Sequence, residues 1–483
     1  ILPFLLITLI SKKVGDKFGY LNFILILIFL TSIFSGTLTH LLTTLLICFS
    51  FFLIGKLILY RFNINSDNII KFLIGMVFIG TLFSLTSHFK INNIIFWGLI
   101  ILVPYLLSYV IFSKGRINIF IDFYKLNERF NNSFTIPNSW ILSFIISATS
   151  INYLSALLPE IAHDALVFHF HISNYLLING YWHYDVSAHA IAAYPLFANW
   201  IYTIFYFFGG EVSVKLISFI SILLSAEIIR RISLIFGADS TGSLWSVFLF
   251  LCLPITYAFS SMLFVEPIWN LLIIASIYIF SKIIFEGSEV KDFYIFSILL
   301  GAALATKLIV ITYLPVFGLV MIFISIYNKF NIKIILKGFF LFLLLSSIPY
   351  LTAFFYTGNP FFPHLNHIFK SPFFPIINQT QDAFFEKGLG FKTLYNITFN
   401  PSRHIEGTFG SGGFYWFILY IPSVISFIFK RDYKNLFLVV LTFSMFFSTF
   451  YLVGNIRYVY PIFSLSCISS GIFLSKSIFS ELN

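Results

Sequence analysis

Six ionisable side chains stand out in a chain otherwise poor in charge: Glu160, Asp164, His169, Glu266, Lys307 and Arg457. The first three fall in PEIAHDALVFHFH, which begins at Pro159 and gathers acids, histidines and aromatics between strongly apolar runs. A carboxylate at the mouth of a membrane cavity can act as a general base when burial raises its pKa toward working pH. Asp164 is the candidate, and the plain alternative is a solvated loop acid. Read as a helix, the stretch puts Glu160 and Asp164 one turn apart on one face, with His171 two turns on. An ideal helix sets His169 on a different face from Asp164.

Glu266, in SSMLFVEPIWN, is the acid between two apolar runs and stands directly before Pro267. Paired with Asp164 it could hold a divalent cation or orient an acceptor; the alternative is an acid favourable at a helix start. Lys307, in GAALATKLIVI, is a lone cation in a long, nearly uncharged stretch. Burying such a group unpaired costs several kcal/mol, so a lipid phosphate is its natural partner, with snorkelling to the interface as the alternative. Arg457, in GNIRYVYP, could add a bidentate phosphate contact or act as an interfacial anchor.

A metal site built from histidines is not favoured. His163, His169, His171, His183 and His189 contain no HxxxH pair, and His169 and His171 project to different faces of a helix. Cys48, Cys252 and Cys467 lie in apolar runs without paired spacing, so neither a disulfide framework nor a zinc site is indicated.

The elements that must position these groups follow from composition. Of 483 residues, 59% are hydrophobic and 10% charged, against about 25% charged in a soluble domain. Apolar runs recur at the length of a bilayer-spanning helix, without the alternation of a barrel. The fold class is therefore all-α: a polytopic integral membrane protein with about 14 to 15 transmembrane helices and two large outward-facing loops. Expected spans are 1–10, 20–34, 38–59, 69–87, 93–112, 139–158, 212–229, 243–260, 268–285, 292–306, 308–327, 336–356, 413–429, 435–453 and 458–475. Because Ile1 already lies in an apolar run, the true start, or a signal-like segment, is expected ahead of it.

Charge tests that parity. With Lys12, Lys13 and Lys17 in the cytoplasm, Arg61, Arg230, Arg231, Lys291, Lys333, Lys430 and Arg431 also fall inside, as the positive-inside rule requires. The net charge of +10 is thus scattered between spans and does not point to nucleic acid. Counting 195–208 as a span would invert everything after it. Its Trp and Tyr content suits a helix lying on the outer membrane surface. Loops 159–211 and 357–412 then face outward, the second carrying the turn signals GNPFFP and GTFGSGG. Residues 1–112 read as an N-terminal accessory bundle, 113–137 as a basic cytoplasmic linker and 138–476 as the core.

The order of motifs resembles that of a known group. After a span come DALVFH and PLFANW, then a span ending in Arg230–Arg231, LFVEP, GAALATK, GNPFFP, GSGGF and RYVYP. This resembles the bacterial GT-C glycosyltransferases akin to protein O-mannosyltransferases and the lipid A aminoarabinose transferase, over roughly residues 139 to 475. The resemblance implies transfer of a sugar from a polyprenyl-phosphate donor to an acceptor glycan, lipid or protein at the outer face of a bacterial inner membrane. By motif position it makes Asp164 the catalytic carboxylate and Glu266 the second acid. Lys307 would meet the carrier phosphate with Arg457 as helper, and His169 would occupy the place of a recurrent histidine. Glu160 is placed with the substrate-binding set. Ala165 follows Asp164 where the mannosyltransferases carry paired acids, so the acceptor and metal requirement do not carry over.

The chemistry is coherent on its own terms. An attacking hydroxyl or amine needs a base, the anomeric carbon develops oxocarbenium character, and the departing phosphate needs cations. Direct displacement inverts the anomeric carbon. No cofactor is obligatory, and a divalent cation is the one candidate. A flippase or transporter of lipid-linked sugars would place ionisable groups near mid-membrane. An O-antigen-type polymerase or ligase would lean on loop arginines, of which Arg403 is the one in the two large loops. A non-catalytic scaffold has no need of Lys307.

Overall fold

A computed structural model describes residues 2–112, 136–183, 185–187, 190–287, 290–327, 332–377, 389–390, 392–401, 404 and 413–477. Most of the expected basic linker at 113–137, most of GTFGSGG, and His189 and Arg403 lie outside the described residues. Runs this apolar satisfy their backbone groups internally only as helix or closed barrel, and the described residues contain helix and no strand.

The first half comprises α1 (Leu2–Phe18), α2 (Tyr20–Phe34), α3 (Leu38–Arg61), α4 (Asn68–Thr86), α5 (Ile94–Phe112), α6 (Ile136–Ala156) and α7 (Phe170–Asn179). Then come α8 (Phe197–Ile235), α9 (Ser240–Leu251), α10 (Pro254–Ser261), α11 (Glu266–Phe285), α12 (Val290–Thr306), α13 (Leu314–Tyr327) and α14 (Ile332–Thr357). Last are α15 (Ile421–Phe429), α16 (Tyr433–Leu452) and α17 (Tyr460–Ser477). Among the described residues nine helices are long and apolar enough to cross a membrane, or ten if α9 and α10, bent by 57°, count as one broken span. The segments expected as fourteen or fifteen crossings are mostly helical, but 243–260 breaks at 252–253 and several of the helices are short. α2 has 15 residues and α13 has 14, fewer than the roughly 20 needed to cross unaided.

Helix α8 is the hub, packed against α3, α4, α9, α11 and α17. It corrects one expectation. Residues 195–208 do not lie along a surface: Trp200, Ile201, Tyr202 and Phe205 are fully enclosed by neighbouring helices. The segment runs on into the next helix through a single break at Gly210, whose φ of 61° and ψ of −158° suit a residue without Cβ. The break is pinned from outside, because His40 Nδ1 lies 2.8 Å from the Gly209 carbonyl oxygen.

One continuous hydrophobic core extends from Ile47 in α3 to Ile472 in α17. Helices α3 and α4 approach so closely that Gly55 and Gly75 sit against each other's helix backbone, with no room for a Cβ on either.

Asp67, Asp239 and Asp432 each accept a backbone N–H bond at a helix start. Arg231 ties α8 to Asp67 at 2.9 Å, while Phe285, the last residue of α11, packs on Phe236 just after α8. The Arg230–Arg231 pair therefore sits toward the end of α11 opposite Glu266.

Candidate active site

At that opposite end, four charged residues occur where helices stop. Asp164 follows the irregular segment 159–162 and stands just before a π-turn, Ala165–His169, that runs into α7. Glu266 is the first residue of α11, after the break 262–265 and before Pro267. Lys307 interrupts the chain between α12 and a short 3-10 turn, in extended conformation with φ −155° and ψ 125°. Arg457 lies in the 3-10 turn Ile456–Val459 between α16 and α17, its N–H accepted by Asn455 Oδ1 at 2.9 Å.

Side chains from these four breaks form one chain of charge. Lys307 Nζ donates to Glu266 Oε1 at 2.7 Å, and Arg457 Nε donates to the same oxygen at 3.0 Å. Arg457 Nη1 then donates to Asp164 Oδ2 at 2.9 Å. Aromatic faces hold both cations. Lys307 Nζ is 3.7 Å from the Tyr458 ring centroid and 5.3 Å from that of Trp269, and the Arg457 guanidinium is 4.2 Å from Phe264.

Side-chain exposure rises from 0% at Glu266 to 14% at Lys307, 13% at Arg457 and 34% at Asp164. Glu266 is thus the buried anchor of two cations, and Asp164 the group best placed to meet a ligand. Glu266 Oε2 is buried without a hydrogen bond among the described residues. Such an arrangement can pull on a developing negative charge with the cations while Asp164 takes up a proton.

His169 joins the site by a route that an α-helical periodicity hides. The π-turn closes five residues apart, with the Phe170 N–H donating to the Ala165 carbonyl. Winding wider than an α-helix, it brings His169 within the fields of Glu266, Asp164 and Arg457. Its Nδ1 lies 3.0 Å from Asn199 Oδ1. Burial pushes its pKa down to about 4, so the ring is neutral at neutral pH.

Glu160 stands apart. Residues 159–162 lie outside any helix, so it does not share a helix face with Asp164, and that expectation is corrected. Its carboxylate accepts from the backbone N–H groups of Ile161, Ala162 and Leu263, with Lys215 Nζ at 4.0 Å. His171 is exposed and packs toward Tyr175 and Trp182.

Among the described residues no three His, Cys, Asp or Glu gather as a metal-ion set. The donor set does not fit a divalent cation between Asp164 and Glu266, because Arg457 already binds both carboxylates. Sequence reasoning missed Lys215, Asn199, Tyr458 and Phe264. Lys215 carried a usable signal, a lone cation in an apolar run, and Asn199 stands in the PLFANW motif; Tyr458 and Phe264 had no signal beyond proximity to Arg457 and Glu266.

Fold and site together define an all-helical polytopic membrane protein with a charged cluster at one end of its helices. The chain matches no known family model, no curated protein and no solved structure.

Proposed function

We propose that the protein is a membrane glycosyltransferase that moves a sugar from a polyprenyl-phosphate donor to a hydroxyl or amine acceptor. The single observation that carries this proposal is the contact of half-open Asp164 with Arg457, itself anchored with Lys307 on buried Glu266. The donor's anomeric C–O bond breaks as the acceptor's bond to the same carbon forms, with inversion. Asp164 takes the acceptor's proton, and the carrier leaves as polyprenyl phosphate. Arg457 and Lys307 stabilise that phosphate, and Glu266 keeps their charged heads in place before it arrives. His169, neutral and bonded to Asn199, stands beside the cluster without adding charge.

The sided placement belongs to the same proposal. The cluster lies at the end of α11 away from Arg230 and Arg231, and the positive-inside rule, applied to that arginine pair as a proposal of its own, favours a reaction at the outer face of a bacterial plasma membrane. The resemblance of the motif order to that of the GT-C transferases supports the same proposal.

The test is incubation of purified protein in lipid vesicles with radiolabelled polyprenyl-phosphate sugars and a panel of glycan, lipid and peptide acceptors. Label on an acceptor, with release of polyprenyl phosphate, is the expected result. Label that crosses the bilayer still attached to its carrier would make the protein a transporter instead.

A further inference from the structure

We propose that Glu160, buried beside Lys215, is a positioning residue that fixes the spacing between Asp164 and Glu266; this rests on the transferase assignment only for its kinetic consequence. The two acids come from segments about one hundred residues apart, and both segments are loops where they approach the site. A loop without tertiary pegs would let their separation drift, and a displacement of about 1 Å can cost about a hundredfold in rate.

The peg is a single buried carboxylate. Glu160 Oε1 accepts from Ile161 N at 3.0 Å and Ala162 N at 2.9 Å, holding the turn that leads to Asp164. Glu160 Oε2 accepts from Leu263 N at 2.6 Å, three residues before Glu266. One side chain thus bonds the backbone leading to each acid.

Helix α8 supplies its foundation just beyond the Gly210 break. Glu211 Oε1 accepts the Glu160 N–H at 2.6 Å. Lys215, one turn on and 2% exposed, donates to the Leu158 carbonyl at 2.5 Å and lies 4.0 Å from Glu160 Oε2. A buried carboxylate survives only when paired and hydrogen-bonded; Lys215 supplies the nearby positive charge, and the three backbone N–H groups supply the hydrogen bonds. Before the break, Tyr202 OH donates to the Phe264 carbonyl at 2.6 Å, a second peg from the same helix to the Glu266 loop. Phe264 is also the ring beneath Arg457. The kinked α8 therefore holds one loop with each of its halves.

The test uses the full chain in lipid nanodiscs, comparing wild type with Glu160→Gln and Tyr202→Phe. Gln keeps the shape but turns an N–H2 donor toward backbone donors; Phe removes only the hydroxyl. Amide hydrogen exchange should accelerate at 157–164 and 259–266 in Glu160→Gln, and at 259–266 alone in Tyr202→Phe, leaving α3 and α4 unchanged. In the transfer assay kcat should fall by about 10- to 100-fold for Glu160→Gln and less for Tyr202→Phe, with KM for the donor within about twofold. Unchanged exchange in both loops overturns the proposal, as does a rise in KM with kcat intact. Should wild type transfer no sugar, the transferase assignment fails while the exchange result still decides the clamp. If Glu160→Gln does not fold, Glu160→Asp replaces it: the shortened carboxylate keeps the charge beside Lys215 but cannot reach both loops, so exchange at 157–164 and 259–266 should still accelerate, and unchanged exchange overturns the proposal.

Discussion

Arg457 reaches Asp164 across 293 residues of sequence, its Nη1 2.9 Å from the Asp164 Oδ2. The same guanidinium binds Glu266 through Nε. One planar side chain therefore sets the position of the exposed acid relative to the buried one, a task for which a lysine's single ammonium has the wrong shape.

Removing that bridge should cost both stability and activity. Arg457→Leu leaves Glu266 with Lys307 alone and Asp164 without its guanidinium partner. The expected loss is about 1.5–3 kcal/mol, the range for hydrogen bonds to charged groups, because Glu266 keeps Lys307 and Asp164 is partly exposed. It is read as a lower unfolding temperature in detergent. Arg457→Lys should recover part of the stability but little of the transfer rate, and full recovery of rate would show that the two-carboxylate bridge is dispensable.

Lys307 should reveal its role through the donor. Lys307→Met keeps much of the side-chain volume against Tyr458 and Trp269 but removes the charge. If Lys307 meets the carrier phosphate, donor KM rises and kcat also falls, because the cation acts on both bound and departing phosphate. A loss of thermal stability with unchanged kinetics would make it a structural counter-ion to Glu266.

His169 gives a pH dependence with a definite sign. Its folded pKa is pushed down to about 4 by burial, below the usual 6.5. Between those values the unfolded chain binds more protons than the folded one, so the protein loses stability as pH falls from about 6.5 toward 4. His169→Gln should flatten that decline, as measured by thermal unfolding at pH 7 and pH 4.5. An equal decline in the variant would assign the acid sensitivity elsewhere.

The α3–α4 crossing predicts a contrast between two glycines. A Cβ at Gly55 would fall against the Lys71 carbonyl oxygen, whereas one at Gly318 meets nothing within 4 Å. Gly55→Ala should destabilise by about 1–3 kcal/mol, the usual cost of overpacking. Gly318→Ala, in the interior of α13, should gain about 0.5–1 kcal/mol from helix propensity. Chemical denaturation in mixed micelles distinguishes the two.

The sequence made legible what hydropathy and isolated charge can reveal. Lys307 and Glu266 stood out because apolar runs tolerate few such groups, and in the structure they bond each other while Arg457 links Glu266 to Asp164. Partners hundreds of residues apart leave no periodic trace, so the Arg457 bridge could not be read. The π-turn was hidden because its winding is set by backbone bonding rather than by an apolar stripe. Residues 195–208 misled for a related reason: Trp and Tyr suit a membrane surface, and they suit an enclosed hub equally well when α3, α4 and α11 cover every side. Glu160 looked like a partner of Asp164 only while the segment was taken as helical.

The central claim is that Asp164 removes the acceptor's proton. Its most direct test is single-turnover transfer from a radiolabelled polyprenyl-phosphate sugar, comparing wild type with Asp164→Asn at equal donor occupancy. Asn preserves the size of the side chain and still accepts a bond from Arg457, so donor binding should persist within about threefold while transfer falls by about a thousandfold or more. Transfer by Asp164→Asn at the wild-type rate would contradict the assignment and move the base to another group.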